Sequence, residues 1–176
     1  TLTGGMMQDS DVHDLHAFDL FNNVPDAFLA EVLPSRLTQD ILAGKHLVAR
    51  GVNNASLFLL VEGQVDIFLD DKDRPLKTVH AGEIIGEISL ADQRPATASA
   101  VALTDCKVIV IGEESISKLI IGSHQFAINF IQLITHRFRG VNTQVLSYLE
   151  KQRLSERKAV VDNLTRLYNR GWLNDN

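Results

Sequence analysis

The chain has 176 residues, 45% hydrophobic and 22% charged, which is the size and balance of one folded domain with an appendage. Its net charge of −5 and isoelectric point near 5.6 exclude a protein that works mainly by wrapping nucleic acid, because phosphate binding needs a basic face. No run approaches the roughly 18 apolar residues of a membrane span, no signal segment opens the chain, and the single cysteine cannot make an internal disulfide, so a cytoplasmic protein is expected.

Residues 1–18 are polar and without apolar period, which predicts a flexible N-terminal arm. From Phe18 to Leu33 the apolar residues Phe18, Leu20, Phe21, Val24, Phe28, Leu29, Val32 and Leu33 predict short helices, capped by Asp19 or Asn23 and broken near Pro25. Between Ser35 and Ile111 the texture changes to β-rich runs: Leu37–Leu42, His46–Ala49, Ser56–Val61, Gln64–Leu69, Leu76–Val79, Thr97–Leu103 and Lys107–Ile111. Turns are expected at Gly44, at Gly51-Val52-Asn53-Asn54, at Gly63 and at Asp70–Arg74. Many short strands at this spacing predict a compact sandwich or barrel. Gln64–Leu69 alternates polar with apolar, as a half-buried strand should. Cys106 heads a strand-like run and reads as a buried thiol.

After Gly112 the pattern turns helical, first over Glu113–Ile121 and then over about 123–152, with Ser123 as N-cap. In the long helix Ile131, Ile134, Phe138, Val141, Val145 and Tyr148 recur at steps of three and four, the seam of a coiled coil. Phe126, Phe130 and Leu133 form a second stripe that should pack on the domain itself. A helix with two apolar stripes needs two partners, and the simplest second partner is another copy of the chain, so a homodimer through Ala127 to Tyr148 is expected.

The chemistry concentrates in Gly82-Glu83-Ile84-Ile85-Gly86-Glu87-Ile88-Ser89-Leu90-Ala91-Asp92-Gln93-Arg94-Pro95-Ala96-Thr97. Glycine lets backbone approach a ligand, free N–H groups at a helical turn suit an anion, and Arg94 can grip a phosphate bidentately. Glu87 can accept hydrogen bonds from a sugar hydroxyl. The combination suits a ribose cyclic phosphate.

This segment resembles the phosphate-binding cassette of cyclic-nucleotide-binding domains, as in the catabolite activator protein and the regulatory subunits of the cAMP-dependent kinase. The resemblance covers about residues 20–150: Gly44, Gly51, Gly63, Gly82 and Gly86 fall at turns where the family has glycines, and strands, short helix and long helix follow in its order. It implies an α+β fold, a β-roll (double-stranded β-helix, jelly-roll-like) with short N-terminal helices and a long C-terminal dimerisation helix, over residues 19–155. It implies that Gly86, Glu87, Ile88 and Ser89 meet the ribose and phosphate, that Arg94 binds the phosphate, and that Pro95, Ala96 and Thr97 complete the cassette. It implies that Asn142, with Val141 beside it, approaches the purine.

Six residues separate Glu87 from Arg94, about two fewer than in the commonest cassettes of the family. Pro95 stands where many members offer a backbone N–H, and proline has none; at about 1.5–3 kcal/mol per charged hydrogen bond, that loss implies binding weakened about tenfold or more. The ligand implied is cAMP ahead of cGMP, because Pro95 supplies no hydroxyl.

Past Glu150, Asp162-x-Leu164-Thr165-x-Leu167-x-Asn169-Arg170 resembles the opening motif of GGDEF-type diguanylate cyclase domains, with Arg166 where glycine is usual. Residues 156–176 are therefore expected to begin such a domain, and the chain, opening on Thr1 rather than methionine, to be a piece of a longer protein. It holds no Ser/His/Asp triad, zinc spacing or P-loop, and its six histidines lack ligand spacing, so no catalytic residue, metal site or enzyme activity is expected. The reading is a cyclic-nucleotide-sensing regulatory module coupled to a cyclase output. The alternatives are a dimerisation scaffold of the same fold without ligand, and the sensor of a catabolite-activator-type transcription regulator, which would need a helix-turn-helix after the long helix.

Overall fold

The computed structural model describes residues 14–34, 37–69 and 74–140. Residues up to Ile134 form one compact unit, and those from Thr135 belong to a second. A 3-10 turn at Asp19–Phe21 and helix α1, Asp26–Val32, precede the strands. The strands are β1 (Thr38–Ile41), β2 (His46–Val48), β3 (Ser56–Glu62), β4 (Gln64–Phe68), β5 (Lys77–His80), β6 (Ile84–Ile85), β7 (Ser99–Ala102) and β8 (Cys106–Gly112). Helix α2, Glu87–Asp92, interrupts them, and α3, Glu113–Gly122, follows. A further helix, α4, starts at residue 124, and the described residues stay helical to 140.

Two four-stranded antiparallel sheets, β1-β8-β3-β6 and β2-β7-β4-β5, make the β-roll. In the first, β3 lies against β8 with Leu57 opposite Ile111 and Leu59 opposite Ile109. In the second, β4 pairs with β5, Val65 opposite Val79, and with β7, Ile67 opposite Ala100.

The apolar character of β3 and β8 follows from burial on both faces, where a strand has no reason to alternate. Leu57, Leu59, Ile109 and Ile111 face a core shared with Leu15, Phe18, Phe21, Leu29, Ile116, Leu119, Phe126 and Phe130 from the helical segments. Leu60 and Val108 point the other way, to a core shared with Val48, Val65, Val79, Ala100 and Ala102 of the second sheet. Strand β6 is split the same way, Ile84 joining the first core and Ile85 the second.

Several expectations change. The arm does not extend to residue 18: Leu15 and Phe18 are core residues, because a hydrophobic pair three apart on one helical turn finds the apolar face of the first sheet. Residues 1–13 lie outside the described residues. Neither Asp19 nor Asn23 caps a helix; Phe18 and Pro25 hold those positions without side-chain caps. Proline suits the helix start, since its missing N–H removes one unsatisfied donor. The alternation in β4 fails at Asp66, which is buried and accepts a 2.6 Å hydrogen bond from the Thr78 hydroxyl across the β4–β5 pair. Ile134, assigned by spacing to the outer seam, packs with Leu133 against the first core.

Ser123 does cap α4, its hydroxyl accepting from the Phe126 N–H at 3.1 Å. Cys106 is buried, with its Sγ near the Gln64 and Thr104 carbonyls. Asn142, Val141, the seam beyond residue 140 and the GGDEF-like residues 156–176 lie outside the described residues.

Candidate functional site

Strand β6 ends in Gly86, whose φ of +98° makes it the left-handed N-cap of α2. A Cβ at Gly86 would lie 2.5 Å from the Ser56 carbonyl oxygen and 2.7 Å from the Asn54 Nδ2, so only glycine fits between β6 and the start of β3. The sharp turn delivers Glu87, the first residue of α2, into a buried position only 4% exposed. Ile88 is exposed and Ser89 half-buried on the next positions. The helix closes at Gln93, also left-handed at φ +54°, and the Arg94 N–H donates to Asp92 Oδ1 at 3.0 Å.

Arg94, Pro95 and Thr97 are exposed, whereas Ala96 is buried in the second core. Ala96 is fixed at both backbone groups: its N–H donates to the Val52 carbonyl at 3.0 Å and its carbonyl accepts from the Gly51 N–H at 2.8 Å. The turn between β2 and β3 therefore holds the far end of the cassette, while the Asn54 Nδ2, 3.5 Å from the Gly86 carbonyl, meets its beginning.

A cavity of about 220 Å³ opens between these parts, lined by Asn53, Asn54, Ala55, Ser89, Leu90, Gln93, Arg94 and Glu113. The Arg94 guanidinium makes no hydrogen bond or ion pair among the described residues. The structure thus brings Gly86, Glu87, Ser89 and Arg94 onto one short cassette, but only Ser89 and Arg94 of that set line the cavity. Asn53, Asn54, Gln93 and Glu113 were not legible as site residues. Asn53 and Asn54 carried only a turn signal, and Glu113, at the start of α3, is joined to the site by its N–H bond to the Ala55 carbonyl, a contact across 58 positions of chain.

Residues 38–122 match the cyclic nucleotide-binding domain family. That segment is a cyclic nucleotide-binding domain. The domain resembles the cAMP-dependent protein kinase regulatory subunit of Aspergillus fumigatus, 33% identical over 78 residues, 44% of this chain and 19% of that protein. It also resembles the cyclic AMP receptor protein of Thermus thermophilus, 30% identical over 105 residues, 58% of this chain and 49% of that one. The solved catabolite activator protein of Thermus thermophilus superposes with a TM-score of 0.64 at 27% identity, covering 75% of this chain and 63% of that one. The chain thus matches about a fifth of the kinase subunit and about half of the receptor. Against this domain's expected layout, the roll, the cassette helix and the following helices stand in the order anticipated. No described helix is long and apolar enough to cross a membrane.

Proposed function

We propose that the chain senses a cyclic nucleotide, cAMP ahead of cGMP, and regulates an attached output in the cytoplasm. The observation that carries this reading is the presence on one short cassette of a buried carboxylate, Glu87, presented by left-handed Gly86, and, seven positions later, of an arginine, Arg94, whose guanidinium is uncommitted among the described residues. In this reading Glu87 accepts from the ribose hydroxyl, the N–H groups of Ile88 and Ser89 face the phosphate, and Arg94 neutralises it. Pro95, Ala96 and Thr97 close the cassette, and Asn142 meets the base. The curated relatives named for cAMP support that nucleotide. The chain dimerises through Ala127 to Tyr148 and its parent passes the signal to a GGDEF-type diguanylate cyclase begun at residues 156–176. Calorimetric titration of the chain with cAMP, cGMP and cyclic di-GMP tests this: saturable heat with cAMP is expected, and no heat with any of the three overturns it.

One observation favours a second reading, a ligand-free scaffold of the same fold. A cassette two residues longer between glutamate and arginine would carry its arginine at position 96, where this chain has Ala96, buried and with both backbone groups committed to Gly51 and Val52. Arg94 then belongs to the outer cavity with Asn53 and Glu113 rather than to a phosphate.

A further inference from the structure

The Asn54 carboxamide sits at the junction of three parts of the domain. Its Nδ2 donates to the Ser56 carbonyl at 2.7 Å and reaches the Gly86 carbonyl at 3.5 Å, while its Oδ1 accepts from the Ser56 N–H at 3.2 Å. The Gly86 carbonyl is also the acceptor of the Leu90 N–H, the first turn of α2, at 3.4 Å. The same carboxamide lies 2.7 Å from the place a Gly86 Cβ would occupy, so it also fixes the side on which Gly86 turns. Asn54 lines the cavity together with Arg94, which stands at the other end of the cassette.

We infer that Asn54 is a positioning residue for the cassette: its carboxamide fastens Gly86 to the start of β3 and so sets where Glu87 stands and where Arg94 begins. The inference rests on the ligand reading above for its effect on binding, but its effect on the cassette does not depend on any ligand. A turn former alone would need only the two bonds to Ser56, both made within the turn. The contact with Gly86, 32 positions away, is what joins the turn to the site.

The test compares Asn54→Ala, Asn54→Asp and the parent by amide hydrogen exchange without ligand and by calorimetric titration with cAMP. Asn54→Asp keeps the acceptor for the Ser56 N–H but replaces the donor by an oxygen facing the Ser56 and Gly86 carbonyls. Both variants are expected to speed exchange over residues 87–91 about tenfold or more, leaving β3, β4 and β8 unchanged, because the loss is local. Both are expected to weaken cAMP about tenfold, a loss that shrinks when Glu87→Ala is added, since part of the positioning acts through that side chain. Exchange over 87–91 unchanged in both variants, or faster in proportion throughout the strands, overturns the inference. If the parent binds no cAMP, the ligand reading fails while the exchange result still decides the role of Asn54. Should Asn54→Ala not fold, Asn54→Ser, which keeps a hydroxyl for the Ser56 N–H, takes its place with the same expected exchange.

Discussion

The Asn129 carboxamide on α4 donates to the Leu20 carbonyl at 3.1 Å and, with the same nitrogen, to the Asn22 carbonyl at 2.9 Å. Its oxygen accepts from Gln125 Nε2 at 2.9 Å, so a buried polar side chain on the helix is fully occupied. Two carbonyls at the end of the 3-10 turn, left without helical donors by its early stop, are satisfied from the opposite end of the unit.

Asn129→Ala removes both donors and is expected to destabilise the domain by about 2 kcal/mol, the sum of two modest hydrogen bonds with some recovery by water at exposed Asn22. Urea denaturation checks this through the midpoint at constant slope. An unchanged midpoint would show that solvent serves those carbonyls equally well.

Two glycines with positive φ should differ sharply. Nothing lies within 4 Å of a Cβ at Gly44, φ +78°, so Gly44→Ala meets backbone strain alone, about 1 kcal/mol. Gly86→Ala adds overlap with the Ser56 carbonyl and the Asn54 amide, and about 3 kcal/mol in total is expected. Chemical denaturation of the pair measures the difference, and equal losses would contradict the close approach at Gly86.

Arg94→Ala should weaken cyclic-nucleotide binding by about 2–5 kcal/mol, the usual loss when one partner of a desolvated charge pair is removed. Glu87→Gln should lose less, since a carboxamide still accepts from a hydroxyl. Pro95→Ser restores an N–H and a hydroxyl beside Arg94 and should tighten binding. Calorimetric titration, with circular dichroism to confirm folding, reads all three. Binding indifferent to Arg94→Ala would transfer that residue to the outer cavity.

Ile131 and Phe138 are each 64% exposed on helical residues, two members of the three-four seam. Phe138→Asp should convert a dimer into a monomer, because a charge at an apolar seam is desolvated without a partner. Sedimentation at tens of micromolar compares the two chains, and a parent already monomeric there would defeat the dimer.

The sequence made the roll legible because its strands carry their own signal: β-branched runs bounded by glycines that all proved left-handed, Gly44, Gly51, Gly63, Gly82 and Gly86. Strand β6 escaped because two residues show no period. Leu15 escaped because one leucine among polar neighbours gives no stripe, although the first sheet buries it completely. The cassette was legible as a motif, but its supports were not. Asn54 and Asn129 look like turn and surface amides until the chain brings Gly86 and Leu20 to them, 32 and 109 positions away. Asp66 looked like the polar half of an alternation because the Thr78 hydroxyl that satisfies it lies on the next strand.

The bonds that tie Gly86 to the start of β3 and Ala96 to the Gly51–Val52 turn leave the intervening nine residues as a closed loop whose ends cannot drift apart. The chain entropy of bringing those ends together is therefore lost when the domain folds, not when a ligand arrives. What a ligand must still order is the set of side-chain rotamers on the loop, Arg94 above all, at about 0.5–1.5 kcal/mol for each long side chain. Lengthening the Gly51–Asn54 turn by one residue would loosen both ends at once, and would alter the affinity for any ligand of the cassette through a segment outside it.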